Sequence, residues 1–326
     1  MPEESIISIS TGEPAGIGPD ISMLMAQHKL PGKPLFIGNL DMLEERASCR
    51  GTKISIKKLA SARDTKLHEP GVMQLIDMPI KNKVVPGTLN KNNADYVLNI
   101  IRECINLCKT GTVDAMVTAP IQKSILTNSS QLFTGHTEFI SNQLNEKPLM
   151  MLASQEMRIA LLTTHIPLSQ VHKEITKDKI IQSVNILNNA LIKFFKVGKP
   201  KINILSLNPH AGESGTIGGE EKNIIIPAID ELKHQGLSIF GPTPADTAFT
   251  NKKDDYDAYL SMYHDQALPV LKTIAFNEII NITLGLSIVR TSVDHGTALD
   301  IVCTNKVQED SLIQAYLTAI NMVAKC

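Results

Sequence analysis

Long apolar runs are missing from this 326-residue chain: no segment approaches the ~18 continuous apolar residues that a membrane-spanning helix requires. Runs of basic charge are missing as well. Lys and Arg total 32 against 33 Asp and Glu, for a net charge of -1, which leaves no electrostatic footprint for nucleic acid or an anionic membrane. The opening Met1-Pro-Glu-Glu-Ser5 is polar and acidic, unlike the basic start and apolar stretch of a secretory leader. Cysteine is scarce, with five scattered residues, an odd count that argues against a disulfide framework and for a reducing cytoplasm. There is no internal repeat, low-complexity tract or Pro/Ser-rich linker.

What is present is an ordinary globular balance, 43% hydrophobic and 20% charged, which supplies a sizeable core. At roughly 150 residues per domain the length predicts two domains. Short apolar runs alternate with helical stretches from end to end. Ile6 to Ser10, Pro34 to Ile37 and Val113 to Val117 read as strands, and Asn93 to Lys109 and Lys177 to Phe195 carry helix-period apolar positions. That alternation predicts an α/β protein with a mainly parallel sheet. Cys104 and Cys108, four apart on the first of these helices, fit a buried helix face shared with Ile101 and Ile105 better than a metal pair.

Three histidines sit just past apolar runs that read as strands: Arg158 to His165, Lys201 to His210 and Tyr256 to His264. Parallel strands end on one sheet edge, where ligands bind in open α/β sheets, so residues distant in sequence can converge there. A strand-end histidine taken alone is a satisfied polar residue. Three in the same context also fit the ligand set of a divalent ion with positions left open. His210 lies in a long glycine-rich, acidic loop, and Asp265 stands beside His264 as a group able to orient its ring.

The first strand runs into Thr11-Gly-Glu-Pro-Ala-Gly-Ile-Gly-Pro-Asp20. Its glycines fit a tight strand-to-helix turn or an anion at the helix start near Pro19. The spacing is not G-x-G-x-x-G, so the dinucleotide fingerprint is absent. Gly135-His-Thr-Glu138, Lys272 and Arg290 read as solvated polar groups or as contacts for an anionic substrate, with arginine offering a planar fork for carboxylate or phosphate. Asp294-His-Gly-Thr-Ala-Leu-Asp300 is a polar turn leading into an apparent helix.

Taken together these segments resemble one family. Thr11-Gly-Glu-Pro-Ala-Gly-Ile-Gly-Pro19, Thr118-Ala-Pro-Ile121, Gly135-His-Thr-Glu138, Leu207-Asn-Pro-His-Ala-Gly-Glu213, Gly241-Pro-Thr-Pro-Ala-Asp-Thr247, Tyr263-His-Asp-Gln266 and Arg290 to Ala298 occur in the order seen in the 4-hydroxythreonine-4-phosphate dehydrogenases of pyridoxal phosphate biosynthesis. The resemblance implies an isocitrate/isopropylmalate dehydrogenase-like fold of two α/β/α domains with a cleft between them. On that reading residues 1–125 plus 285–326 form the first domain and 126–284 the second. It implies a homodimer with the active site at its interface, a divalent metal (Zn, Mg or Co) on His165, His210 and His264, and NAD or NADP as hydride acceptor. His136, Thr137, Lys272, Asn281 and Arg290 correspond to substrate contacts, and His295, Gly296, Thr297 and Asp300 to the nucleotide loop. Asp246, Asp265 and Lys272 are the candidate bases.

The chain departs from the family pattern at Ala267, where Gly is usual, at Ser287 for Pro, at Gln122 for Asn, and at Val302-Cys303 for Ala-Gly. Ala267 would be strained if that position needs a positive φ. The competing readings are a paralogous dehydrogenase of a sugar-acid phosphate or cyclic diol acid, a phosphate acyltransferase of similar fold, and a non-catalytic metal-binding protein.

Overall fold

The computed structural model describes residues 4–126, 135–250, 255–275 and 278–324. Its contacts fall into two units: Met1–Glu146 with Leu286–Ala324, and Lys147–Gly285. The first unit thus extends beyond residue 125, and His136 and Thr137 belong to it.

Among the described residues the strands are β1 (Ile6–Ser10), β2 (Lys33–Gly38), β3 (Ser55–Lys58), β4 (Val72–Asp77), β5 (Ala115–Thr118), β6 (Leu149–Ala153), β7 (Arg158–Leu161), β8 (Lys201–Leu205), β9 (Ser238–Thr243), β10 (Ala258–Ser261), β11 (Ile280–Leu284) and β12 (Val289–Val293). The first unit orders them β3-β4-β2-β1-β5-β12, with every pairing parallel. The second orders them β11-β6-β7-β10-β8-β9. There β7, β10, β8 and β9 run parallel, and β6 runs against both of its neighbours. The α/β class expected from the alternation is the observed one.

Central strands such as β1 and β5 are buried along nearly their whole length, as parallel strands covered on both faces must be. The helix Ala94–Lys109 lays Val97, Ile100, Ile101, Cys104 and Ile105 onto the first unit's core. Cys104 is fully buried there and Cys108 packs at the margin, where burial pushes the latter's thiol up to about 12. Both cysteines therefore act as apolar core residues, not as metal ligands. In the second unit Tyr259, Leu268, Leu271 and Ala275 form the corresponding core.

The glycine-rich turn after β1 owes its composition to close backbone approach within the chain. A Cβ on Gly12, whose φ is +76, would stand 2.4 Å from the Pro120 carbonyl oxygen, and one on Gly16 would stand 2.9 Å from that of Thr297. The helix that follows, Gly18–Met25, carries Asp20 in its first turn. That carboxylate is fully buried and accepts from Arg46 and from the Cys303 amide, while Arg46 also donates to the Gly16 and Pro14 carbonyls. The close backbone contacts at Gly12 and Gly16 are what the tight-turn reading expects, and Asp20 is neutralised by Arg46.

The segment after residue 298 is not helical, contrary to the expectation. Ala298 and Cys303 have φ of 41 and 61, left-handed values that a right-handed helix cannot continue through, and the last helix begins only at Asp310. Ala267, by contrast, lies inside the helix His264–Ala275 and is absent from the positive-φ residues, so its methyl group introduces no strain.

Breaking one side of a buried ion pair leaves the other charge uncompensated, at a cost of ~3–5 kcal/mol. Arg46→Met is expected to lower the unfolding free energy by about 3 kcal/mol in denaturant melts. A loss under about 1 kcal/mol would show that the pair does not hold the turn.

Candidate functional site

The three strand-end histidines follow β7, β8 and β10, which are adjacent and parallel in the order β7-β10-β8. His165 lies four residues past the end of β7, His210 five past β8 and His264 three past β10. All three are therefore delivered to the same sheet edge. The rings of His165 and His264 are 5.8 Å apart between centroids, tilted by 43°. With a metal–nitrogen bond of about 2.0–2.1 Å, two imidazoles on one tetrahedral ion would put their centroids about 5 Å apart, so this pair fits a shared ion. Asp265 accepts from Nδ1 of His264 at 2.6 Å, so Nε2 is the ring nitrogen that this contact leaves for another partner. Carboxylates orient metal-bound histidines in this manner.

His210 does not join the pair closely. Among the described residues no three His, Cys, Asp or Glu groups of a single chain come together tightly enough to hold an ion. His210 opens a turn in which five successive residues, His210 to Ser214, have φ between 43 and 74. Four of them are not glycine, and left-handed backbone at such residues costs about 1–2 kcal/mol each. The turn is held by Glu221, which is 3% exposed: its Oε1 accepts from the amides of Leu207 and Asn208, and its Oε2 from the Asn208 side chain. Strain maintained by a dedicated buried carboxylate is characteristic of functional loops.

Lys272 is half-buried, two turns after His264 on the same helix. Asn281 lies on β11 with its Oδ1 buried and lacking a hydrogen-bond partner. Asp246 is exposed on the turn after β9.

The first unit gathers a second polar group. Ser10, Thr118 and Ser292 are registered side by side across β1, β5 and β12. Arg290, two residues before Ser292 and 1% exposed, donates to the Thr118 hydroxyl at 2.7 Å. Burial pulls its guanidinium down to about 10, opposed by the charge of Glu138, so it remains a cation at neutral pH. His136 begins the helix His136–Leu144, and Thr137 beside it is buried. Burial, reinforced by the positive charges of Arg290 and Lys123, holds the His136 imidazole well below its ordinary value. It is neutral at pH 7, and its Nε2 is buried with no hydrogen-bond partner. An anion seated here would gain a cation and a ring nitrogen that now lacks a partner.

The nucleotide-loop candidates divide. The Thr297 hydroxyl donates to Gln122 and its carbonyl accepts from Ile17, so Thr297 anchors the loop to the glycine-rich turn. A Cβ on Gly296 would meet open space, and Asp300 is exposed, while the His295 ring turns back to the Gly296 carbonyl. Gln122 thus has a definite task where the family usually carries Asn.

Sequence reading missed Ser10, Glu13 and Glu138, each with a buried oxygen lacking a partner. For Ser10 the available signal was a polar residue inside an otherwise apolar strand; Glu13 lies in the turn after β1 and Glu138 in the helix His136–Leu144. Glu13 is 1% exposed, and burial lifts its carboxyl from 4.5 to about 7 against a hydrogen bond from the Ala15 amide. Between these two values the native state holds a proton that the unfolded chain has released. Stability therefore falls as pH rises through that window. Glu13→Gln, neutral throughout, is expected to gain up to about 3 kcal/mol over the unmodified chain between pH 4.5 and 7, with no further gain above. A difference that does not vary with pH in urea melts would contradict this.

Comparison with known proteins follows the same outline. The family model for the pyridoxal phosphate biosynthetic protein PdxA matches residues 31–319. A 4-hydroxythreonine-4-phosphate dehydrogenase of Methylococcus capsulatus is 43% identical over 315 residues, covering 96% of each chain. One of Acidithiobacillus ferrooxidans is 44% identical over 325 residues, covering 99% of this chain and 98% of its own. The crystal structure of 4-hydroxythreonine-4-phosphate dehydrogenase from Klebsiella pneumoniae superposes with a TM-score of 0.88 at 29% identity, covering 98% of this chain and all of that one.

Proposed function

The chain belongs to the PdxA family, and we propose that it oxidises the secondary alcohol of 4-phosphooxy-L-threonine, passing hydride to NAD⁺ or NADP⁺. The product is a β-keto acid that loses CO₂ to give 3-amino-2-oxopropyl phosphate. The observation that carries this reading is the His165–His264 pair at parallel strand ends, with Asp265 fixing the second ring.

His165 and His264 are assigned as ligands of a divalent ion, and His210 as the third. Because the three do not converge within one chain, the proposal includes a homodimer whose two chains complete the site. When bound, such an ion (Zn, Mg or Co) supplies Lewis-acid stabilisation of negative charge on the substrate oxygen. The remaining roles belong to the protein. His136 and Arg290 seat an anionic group of the substrate, the guanidinium as a planar fork and the neutral imidazole through Nε2. Thr137, Lys272 and Asn281 complete the substrate contacts. Asp265 is engaged by His264, which leaves Lys272 and Asp246 as the groups assigned to accept the hydroxyl proton. His295, Gly296 and Asp300 are assigned to the nucleotide, with Thr297 holding their loop in place. No helix among the described residues is long and apolar enough to cross a membrane.

The test is absorbance of reduced nicotinamide with 4-phosphooxythreonine, with and without chelator. Chelator-sensitive turnover is expected; turnover insensitive to chelator in fully stripped protein would remove the metal assignment. His210→Ala is expected to stay folded and lose nearly all activity. Asp265→Asn should lower metal affinity by about 10–100-fold, read by metal titration. Unchanged affinity would mean that the His264–Asp265 contact does not serve the ion.

A further inference from the structure

Cys303 occupies a backbone conformation that suits glycine. Its φ is 61, and a side chain there is held against its own preference. The surroundings explain what its thiol meets. Cys49 and Arg50 lie three and four residues after Arg46 on the helix Leu40–Arg50, so each stands one turn from Arg46 on the same side. Arg46 donates to Asp20, whose other oxygen accepts from the Cys303 amide, and Arg50 donates to the Thr304 carbonyl. These bonds clamp residues 303 and 304 onto the helix face that carries Cys49. That placement brings the Cys303 thiol into the neighbourhood of Cys49, whose thiol is among the groups that act on it. Cys49 is exposed, Cys303 is partly buried, and both are free thiols. Cys49 also lines a cavity of about 360 Å³ together with Met42, Glu45, Lys83 and Val84, which gives a small reagent access to its sulfur.

We propose that Cys49 and Cys303 form a dithiol site that closes into an intrachain disulfide on reaction with a low-molecular-weight disulfide such as oxidised glutathione. The Cys49 thiolate attacks one glutathione sulfur, breaking its S–S bond and releasing one glutathione thiolate. The Cys303 thiolate then attacks Cys49 in the mixed disulfide and releases the second. The two protein thiols give up two protons and two electrons, and one oxidised glutathione becomes two reduced. Burial holds the Cys303 thiol up near 12, so the closing step is the slow one and accelerates with pH. The closed bond would tie the helix Leu40–Arg50 to the segment that follows residues 294–300. The site depends on no assignment of substrate or cofactor.

The full-length chain is incubated with oxidised glutathione at several pH values, then digested without reduction and mapped by mass spectrometry. The expected product is one crosslinked peptide pair containing Cys49 and Cys303, two hydrogens lighter than the free pair. It should form about tenfold faster per pH unit through the neutral range and be reversed by dithiothreitol. Cys303→Gly should fold at least as well as the unmodified chain, because glycine suits that φ, and should stop at Cys49 glutathionylation. Three results would overturn the proposal: glutathione retained on Cys49 while Cys303 stays reduced in the unmodified chain, linkage of Cys49 to another cysteine, or no reaction at Cys49.

Discussion

Parallel strand pairing is the constraint on which the candidate chemistry depends. In the second unit β7, β10 and β8 are neighbours and all point the same way. Adjacent strands lie ~4.8 Å apart, so groups emerging from neighbouring carboxyl ends arrive within a side chain's length of one another. That is why His165 and His264, distant in sequence, stand with rings 5.8 Å apart. His210 leaves the next strand along, by a longer path through a left-handed turn. The same rule in the first unit aligns Ser10, Thr118 and Ser292 and brings the Arg290 guanidinium to Thr118.

The second theme is buried polarity that its own chain does not satisfy. An unsatisfied buried group costs ~1–3 kcal/mol, so proteins rarely keep several without a use. Here Ser10, Glu13, His136 and Glu138 each keep a buried atom without a partner in the first unit, as does Asn281 in the second. Burial neutralises His136 and lifts Glu13 while leaving Arg290 charged. A ligand with an anionic group and hydroxyls would supply partners that the chain lacks. The Asp20–Arg46 pair shows the opposite arrangement: a buried charge fully met by its own chain, which serves as scaffold.

Much of this was legible in the sequence, and the reasons differ by element. The helix Lys177–Phe195 was readable to the residue because its apolar positions recur at helical spacing between Thr176, whose hydroxyl accepts from the Lys179 amide, and a left-handed Lys196. β1 was equally plain from Ile6-Ile-Ser-Ile-Ser10. The strand-end position of the three histidines followed from such runs, but their mutual distances did not, because they depend on strand order and loop path. The segment after Ala298 was misread as helical because propensity does not register two left-handed residues fixed by distant contacts. Glu13 escaped notice because a carboxylate in a glycine-rich turn looks solvated until its burial is known. Cys303 stood out only as an unusual residue, and neither its φ nor its neighbour Cys49 could be read from local sequence.

The central claim is that His165, His264 and His210 hold one divalent ion while His136 and Arg290 seat the substrate's anionic group. Anomalous diffraction from crystals grown with cobalt and 4-phosphooxythreonine tests it most directly. The account predicts an anomalous peak about 2 Å from Nε2 of His165 and of His264, with a His210 nitrogen completing the set, and an anionic group of the ligand in contact with Arg290 and His136. A peak elsewhere, or a ligand whose anionic groups avoid Arg290, would contradict it.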